Sequence, residues 1–493
     1  MKIIRHIIRL FPLIISFLFA EFSPSFSYSL TQPDGYQFDV YMKGSEFYNY
    51  IHTLDGYTVA SKDEDGELWW YYGMKENGDI IPSQIKIQMG VLAPDFSYMI
   101  SPDYHSSGLK IESGFNHHRH EGSRVSSIKP LVVLVDFDDS GLPSGVPSHT
   151  YTKEQFASLF FDVNLDPDDY GLPDSYQMSV RDYYDEVSAG EIIIEGSEAS
   201  VIDWETVPED YSYYVDGNQG FGNGNGGKDQ SSKAVLIDVL ERIDVDMTQF
   251  DANSDGVCDA VILVMEGWTN GSQDHFWSFK GTLNFGEANS IDPTAGEDPS
   301  ELTYDGIKIR NYIVTTEQIY FSDGDYYQSG DIRPIGTFVH EIGHILGLPD
   351  LYDTSDRSAP GIGDWGLMGS GNWNNQVSPA SFSAWSAGKL GIINLIELDN
   401  LIADNLVIEP VHSSRIAYKI NLSSETTGEY FLLENREIQG TDAHLAEEGL
   451  MVWHIDERLT ASYPSYNSVN TNPDFYGVKL LEASGGNDLS EEG

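Results

Sequence analysis

His340 and His344 stand four residues apart in the stretch Gly336–Asp350, GTFVHEIGHILGLPD. On a helix that spacing puts both imidazoles on one face, within reach of one metal ion. Glu341, beside the first histidine, is placed to take a proton from a water that the metal activates. Ile335, Phe338, Val339, Ile342, Ile345 and Leu346 supply the apolar positions of a buried helix around these groups. Gly347 can adopt the left-handed conformation that ends a helix, and Pro349 prevents its resumption. The chain must turn back there, which favours Asp350 as third ligand, with Asp353 the runner-up. No glutamate occurs between Glu341 and Glu397 and no histidine between His344 and His412, so the carboxylates available in the gap are Asp350, Asp353, Asp356 and Asp364. Two histidines and a carboxylate leave one tetrahedral position for water, the open coordination of a catalytic zinc site, and zinc suits such a mixed nitrogen and oxygen set. The chemistry expected is hydrolysis.

A second motif, Asp251-x-Asn253-x-Asp255-Gly256 with Asp259 further on, alternates oxygen ligands around a glycine as a hard cation requires. It begins like an EF-hand, but its twelfth position is Ile262 and a strand follows. Two readings stay open, a short calcium loop and an Asx-rich turn before a strand.

These groups need a scaffold. Leu131–Phe137 (LVVLVDF) is a continuous apolar run of the kind found in a strand buried on both faces. Helix patterns at Ser179–Val187 and Lys233–Ile243 lead into apolar segments Glu191–Glu195 and Ala260–Met265, the grammar of an α/β layer. Upstream, residues 30–115 carry short alternating segments separated by Asp34-Gly35, Asp55-Gly56 and Asp65-Gly66, which predict hairpins in a small β-rich module. Residues 113–129, SGFNHHRHEGSRVSSIK, read as an exposed linker in which His117, His118 and His120 are solvated. After Gly388, strands are expected at Leu406–Pro410, Arg415–Ile420, Tyr430–Glu434, Gly449–His454 and Gly477–Leu481, an all-β region whose polar ending is read as a truncation. Glu434 and Arg436 read as a structural ion pair. The N-terminus places Lys2, Arg5 and Arg9 before the apolar run Leu10–Ala20, the pattern of a signal peptide over residues 1–29, too short to span a bilayer.

Composition narrows the partners. With 78 acidic against 27 basic side chains in 493 residues, the formal charge is −51, which excludes a nucleic-acid binder held by phosphate contacts. At 40% hydrophobic and 21% charged residues the chain can bury a core. Its single cysteine, Cys258, allows no intrachain disulfide, and the N-terminal module has no cysteine with which to block a zinc ion.

HEIGHILGLPD followed by GDWGLMGSGNW resembles the zinc motif and methionine turn of metzincin-like peptidases. The fuller pattern is similar to the immune inhibitor A family of secreted bacterial metallopeptidases, through KPLVVLVDFDD, SVRDYYDEVSAGEIIIEG, FDANSDGVCDAVILV, SPASFSAWSAGKLG and EYFLLENRE with GLMVWHIDE. The resemblance implies a zincin-like α/β (α+β) catalytic domain with a twisted sheet and an active-site helix, and Met368 as the turn beneath the zinc ligands. It also implies the aspartate form of the third ligand, Asp350, where metzincins commonly carry a histidine. Ser370 stands where some metzincins place a tyrosine, so no oxyanion donor is named. The opening LTQPDGYQFDVYMKGSEFYNYIHTLDGYTV resembles the pro-segment of such enzymes.

The expected organisation is a signal peptide over 1–29, a pro-segment and linker over 30–124, a catalytic domain over 125–395 and a β-rich region over 396–493. The expected function is a secreted zinc endopeptidase made as a zymogen and acting on proteins or peptides, with calcium as a second, structural cation and no membrane span in the mature form. The alternative is an extracellular binding protein on a protease-like scaffold, whose mark would be an altered HExxH motif.

Overall fold

The computed structural model describes residues 28–97 and 126–483, apart from 46–47, 65–66, 77–78, 89, 138–141, 144–145, 218, 222–229, 270–273, 283–301, 321–325, 355–358, 399–405, 423–427, 461–466, 468 and 473–474. Residues 1–27, the linker histidines, Arg119 and Arg124 lie outside the described residues.

Residues 28–86 form a six-stranded antiparallel meander in which each strand pairs with the next: Tyr28–Thr31, Gln37–Ser45, Tyr48–Thr53, Thr58–Glu64, Glu67–Glu76 and Asp79–Lys86. Turns close at Gly35 and Gly56, whose amides donate to Gln32 and Thr53 carbonyls at 2.8 and 2.9 Å. The module buries a small core of Val40, Val59, Tyr72 and Ile87.

A second sheet carries the larger core. Strands Val201–Thr206, Pro130–Asp136, Ala260–Trp268 and Asn311–Gln318 lie side by side in that order, all parallel, and Phe279–Thr282 closes the edge antiparallel to the last of them. Alternate residues of a strand face opposite sides, and here both sides are covered. Val132, Leu134, Ile262, Val264 and Ile313 join a core with helices Lys153–Phe161, Val180–Ser188 and Ile335–Ile345. Leu131, Val133, Val135, Val261, Leu263 and Val314 join another with helix Ser232–Leu240. This two-sided burial is why the apolar runs are continuous rather than alternating.

A third sheet follows, in the order Asn394–Glu397, Ile416–Asn421, Glu429–Arg436, Gly449–Asp456 and Val478–Leu480, with only the first pair parallel. Its inner residues, among them Leu432, Trp453 and Val478, belong to the same core as the helix Ile335–Ile345. The region also contains single-turn helices at Val411–Ser414 and Glu457–Thr460. The strand expected at Leu406–Pro410 does not form: Val407 is 66% exposed, and Pro410 makes one isolated bridge to Asn435. Among the described residues that apolar run meets a strand as a ladder partner only at this one bridge, and its proline lacks the N–H a ladder needs.

Candidate metal centre

All eleven residues of the helix Ile335–Ile345 are buried. Pro334 precedes it, and the Gly336 amide donates to the Gln376 carbonyl at 2.8 Å. Helix Val180–Ser188, capped by Ser179, packs against it, with the Tyr184 hydroxyl donating to the Val339 carbonyl at 2.6 Å. The helix ends at Gly347, φ +85°. There the Gly347 amide donates to His344 O at 3.0 Å and the Leu348 amide to Gly343 O at 3.1 Å, the paired bonds of a Schellman end. That turn brings Asp350 back beside the helix.

His340 Nδ1 lies 2.9 Å from the Leu367 carbonyl and His344 Nδ1 lies 2.8 Å from the Leu348 carbonyl. Carbonyl acceptors fix the proton of each ring on Nδ1 and leave each Nε2 with its lone pair. Both Nε2 atoms face one oxygen, Asp350 Oδ1, at 3.1 and 3.3 Å. The rings stand nearly perpendicular, 86° apart with centroids at 4.9 Å. Two lone pairs and a carboxylate oxygen repel unless a cation sits among them, and the buried His344 Nε2 has no hydrogen-bond partner among the described residues. Metal bonds of about 2.0–2.1 Å in a tetrahedron separate donor atoms by about 3.3 Å, so the grouping fits a zinc-sized ion.

The segment Leu367–Gly371 forms one irregular turn beneath the helix. Its Leu367 carbonyl takes the His340 ring N–H, and its Met368 carbonyl accepts the Leu351 amide at 2.7 Å. Met368 is fully buried there.

Three further polar features escape a reading of motif and spacing. Asn467, from the segment before the last strand, accepts the Asp350 amide at 2.8 Å and donates to Asp350 Oδ2. Lys280, on the antiparallel edge strand, is buried close enough to feel Glu341; burial depresses its ammonium to about 8, against the pull of that carboxylate. A grouping at the carboxyl ends of the parallel strands, Asp136, His149 and Glu266, also brings its polar atoms within 4.8 Å of one another. Its oxygens already accept from the Phe137 and His149 amides and the Thr206 hydroxyl, at 2.6, 3.2 and 2.8 Å, and so hold the loop around His149 to the sheet.

Asp353 is buried but is not part of the His340, His344 and Asp350 grouping. In the loop Asp251–Asp259 the side chains bond backbone amides: Asp251 takes Asp255 and Gly256 at 3.0 and 2.9 Å, Asn253 takes Asp255 at 2.9 Å, and Asp255 takes Val257 at 2.9 Å. Asp259 takes the Ala252 amide of the loop and the Lys129 amide outside it, at 3.2 and 2.8 Å. Among the described residues Asp251, Asp255 and Asp259 do not form a grouping with all ligand oxygens within 4.8 Å. The loop has the bonds of an Asx-stabilised turn.

A buried helix bearing H-E-x-x-H, with a carboxylate folded back against it, is the hallmark of metal-dependent peptidases. Residues 116–262 and 302–390 match the family model for the immune inhibitor A peptidase M6 catalytic domain. The chain belongs to the immune inhibitor A peptidase family. It is 27% identical over 291 residues to immune inhibitor A of Bacillus thuringiensis subsp. alesti, covering 52% of this chain and 39% of that protein. It is 25% identical over 295 residues to the pre-pro-metalloprotease PrtV of Vibrio cholerae serotype O1 (strain M66-2), covering 52% of this chain and 29% of that protein. The match thus spans well under half the length of either relative. No helix among the described residues is long and apolar enough to cross a membrane.

Proposed function

We propose that the chain is a secreted zinc-dependent endopeptidase, made as a zymogen, whose metal is held by His340, His344 and Asp350. The observation that carries this is the convergence of two Nδ1-anchored histidines on one oxygen of Asp350. Zinc bound there would polarise the scissile carbonyl and make water nucleophilic at neutral pH. Glu341, on the same helix, accepts the proton of the attacking water and returns it to the leaving amine. Met368 supports the helix from below. The opposing proposal, a binding protein on a protease-like scaffold, finds no altered residue in the motif to support it.

Casein cleavage by wild type and Glu341→Gln, with zinc content measured in both, tests the mechanism. The variant is expected to keep its zinc and lose about 10²–10⁴-fold in turnover. Wild-type-like turnover ends the proposal. Secretion is supported by the charged-then-apolar N-terminus, and a precursor form by the printed name of the Vibrio relative. N-terminal sequencing of active enzyme should find a start between His117 and Lys129; full activity with an N-terminus near Leu30 refutes the zymogen. Calcium at Asp251, Asn253, Asp255 and Asp259 rests on ligand spacing alone. A melting temperature that rises with calcium in wild type but not in Asp255→Ala checks it.

A further inference from the structure

We propose that Asn467 is the positioning residue of the metal centre: by gripping one oxygen of Asp350 it commits the other to the two histidines and makes Asp350 a ligand through a single oxygen. This rests on the reading of His340, His344 and Asp350 as metal ligands.

The contact is a two-point clamp. Asn467 Oδ1 accepts the Asp350 backbone N–H at 2.8 Å, and Asn467 Nδ2 donates to Asp350 Oδ2. The orientation of the amide follows from its partners, because a backbone N–H can only face the oxygen, which leaves the nitrogen for the carboxylate. With Oδ2 so engaged, Oδ1 is the oxygen that faces His340 and His344. Asp350 is 0% exposed and Asn467 3%, so bulk water does not compete for the clamp.

The clamp is itself anchored. Thr354 donates its hydroxyl to the Asn467 carbonyl at 2.6 Å. Asn470 donates to Leu351 O at 2.9 Å and Val478 O at 2.8 Å, and accepts the Val478 amide at 3.0 Å. The ligand loop is thereby tied to the last strand of the C-terminal sheet. A carboxylate without such a restraint can swing to bind a metal through both oxygens and crowd the position that a substrate must reach. Outer partners of metal ligands typically govern metal affinity by about 10–100-fold.

Cobalt(II) substitution reads the coordination directly, since four-coordinate cobalt absorbs visible light more strongly than five-coordinate cobalt. Wild type is expected to bind one cobalt with strong bands. Asn467→Ala should show weakened, shifted bands and release the metal to a chelator about 10–100-fold faster. Asn470→Ala, which loses bonds to Leu351 and Val478 but none to Asp350, should melt at lower temperature with the wild-type spectrum. Should Asn467→Ala not fold, Asn467→Asp keeps the shape and the acceptor but lacks the donor, and the same spectral change is expected. A wild-type spectrum and release rate in the Asn467 variant that folds, or an equal spectral change in Asn470→Ala, overturns the proposal. Wild type that takes up no cobalt, or a His344→Ala variant that binds it equally, overturns the reading of the centre itself and the clamp with it.

Discussion

The sulfur of Met368 lies against Gly343, the glycine immediately before His344: a Cβ built on Gly343 would come within 2.6 Å of it. The missing side chain lets the Leu367–Gly371 turn reach the helix closely enough for Leu367 to hold the His340 ring and Met368 to hold the Leu351 amide. The helix, the Leu367–Gly371 turn and the loop that carries Asp350 meet at one contact.

Gly343→Ala should therefore be destabilising, although alanine is the better helix former by about 1 kcal/mol. Overpacking of a filled core costs about 1–3 kcal/mol and here also displaces the His340 acceptor. Thermal melting should show the loss, with faster zinc release to a chelator. Met368→Leu, which conserves volume, should cost less than about 1.5 kcal/mol. Adding Met368→Ala to Gly343→Ala should relieve the clash, a non-additivity that independent sites would not show.

Asp350→Ala should lose zinc on dialysis far more readily than Asp353→Ala. Both carboxylates are buried, but only Asp350 faces the two imidazoles. Zinc per protein after equal dialysis decides it, and the reverse order of retention would make the ligand assignment wrong.

How much of this was legible differs by the range of the interaction. The helix and the return at Gly347 follow from local spacing and φ, so His340, His344 and Asp350 can be placed together from a short stretch of chain. Asn467 meets Asp350 across 117 residues, a pairing that no local periodicity encodes. Lys280 sits in a four-residue edge strand, too short for a pattern. Strand Asn394–Glu397 has all four residues exposed, so alternation is missing, whereas Leu406–Pro410 is apolar but bridges a neighbouring strand only at Pro410. A β-ladder depends on neighbours as well as on the segment.

Arg436 connects the C-terminal sheet to the rest of the core. Its Nε donates to Asp442 Oδ2 at 2.6 Å, its Nη2 pairs with Asp442 Oδ1, and its Nη1 lies 3.5 Å from Glu434 Oε1. The expected ion pair is thus a buried triad. Arg436→Ala leaves two buried carboxylates without their cation, and losing one partner of such a group costs about 3–5 kcal/mol. Urea unfolding should show that drop. Arg436→Lys should restore only part of it, because an ammonium cannot form the two-point contact with Asp442.

Glu266 should make stability fall as pH rises. It is fully buried, and burial pushes its carboxyl up to about 8 from an ordinary 4.5, with amide bonds from Phe137 and His149 opposing and the Asp136 charge reinforcing. Between those two values the folded chain retains a proton that the unfolded chain has released, so the folded state binds more protons and loses stability with each step upward. Below about 4.5 and above about 8 the contribution is level. Glu266→Gln cannot titrate, but its NH2 replaces one of the two oxygens that accept the Phe137 and His149 amides. Its melting temperature should lie below that of wild type at pH 5, and the gap should narrow through pH 8, at fixed ionic strength and zinc loading. Glu317 and Asp259, whose carboxyls are also raised by burial, remain in both proteins and drop out of the comparison. Parallel melting profiles for the two proteins from pH 5 to 9 would show that Glu266 does not titrate on folding.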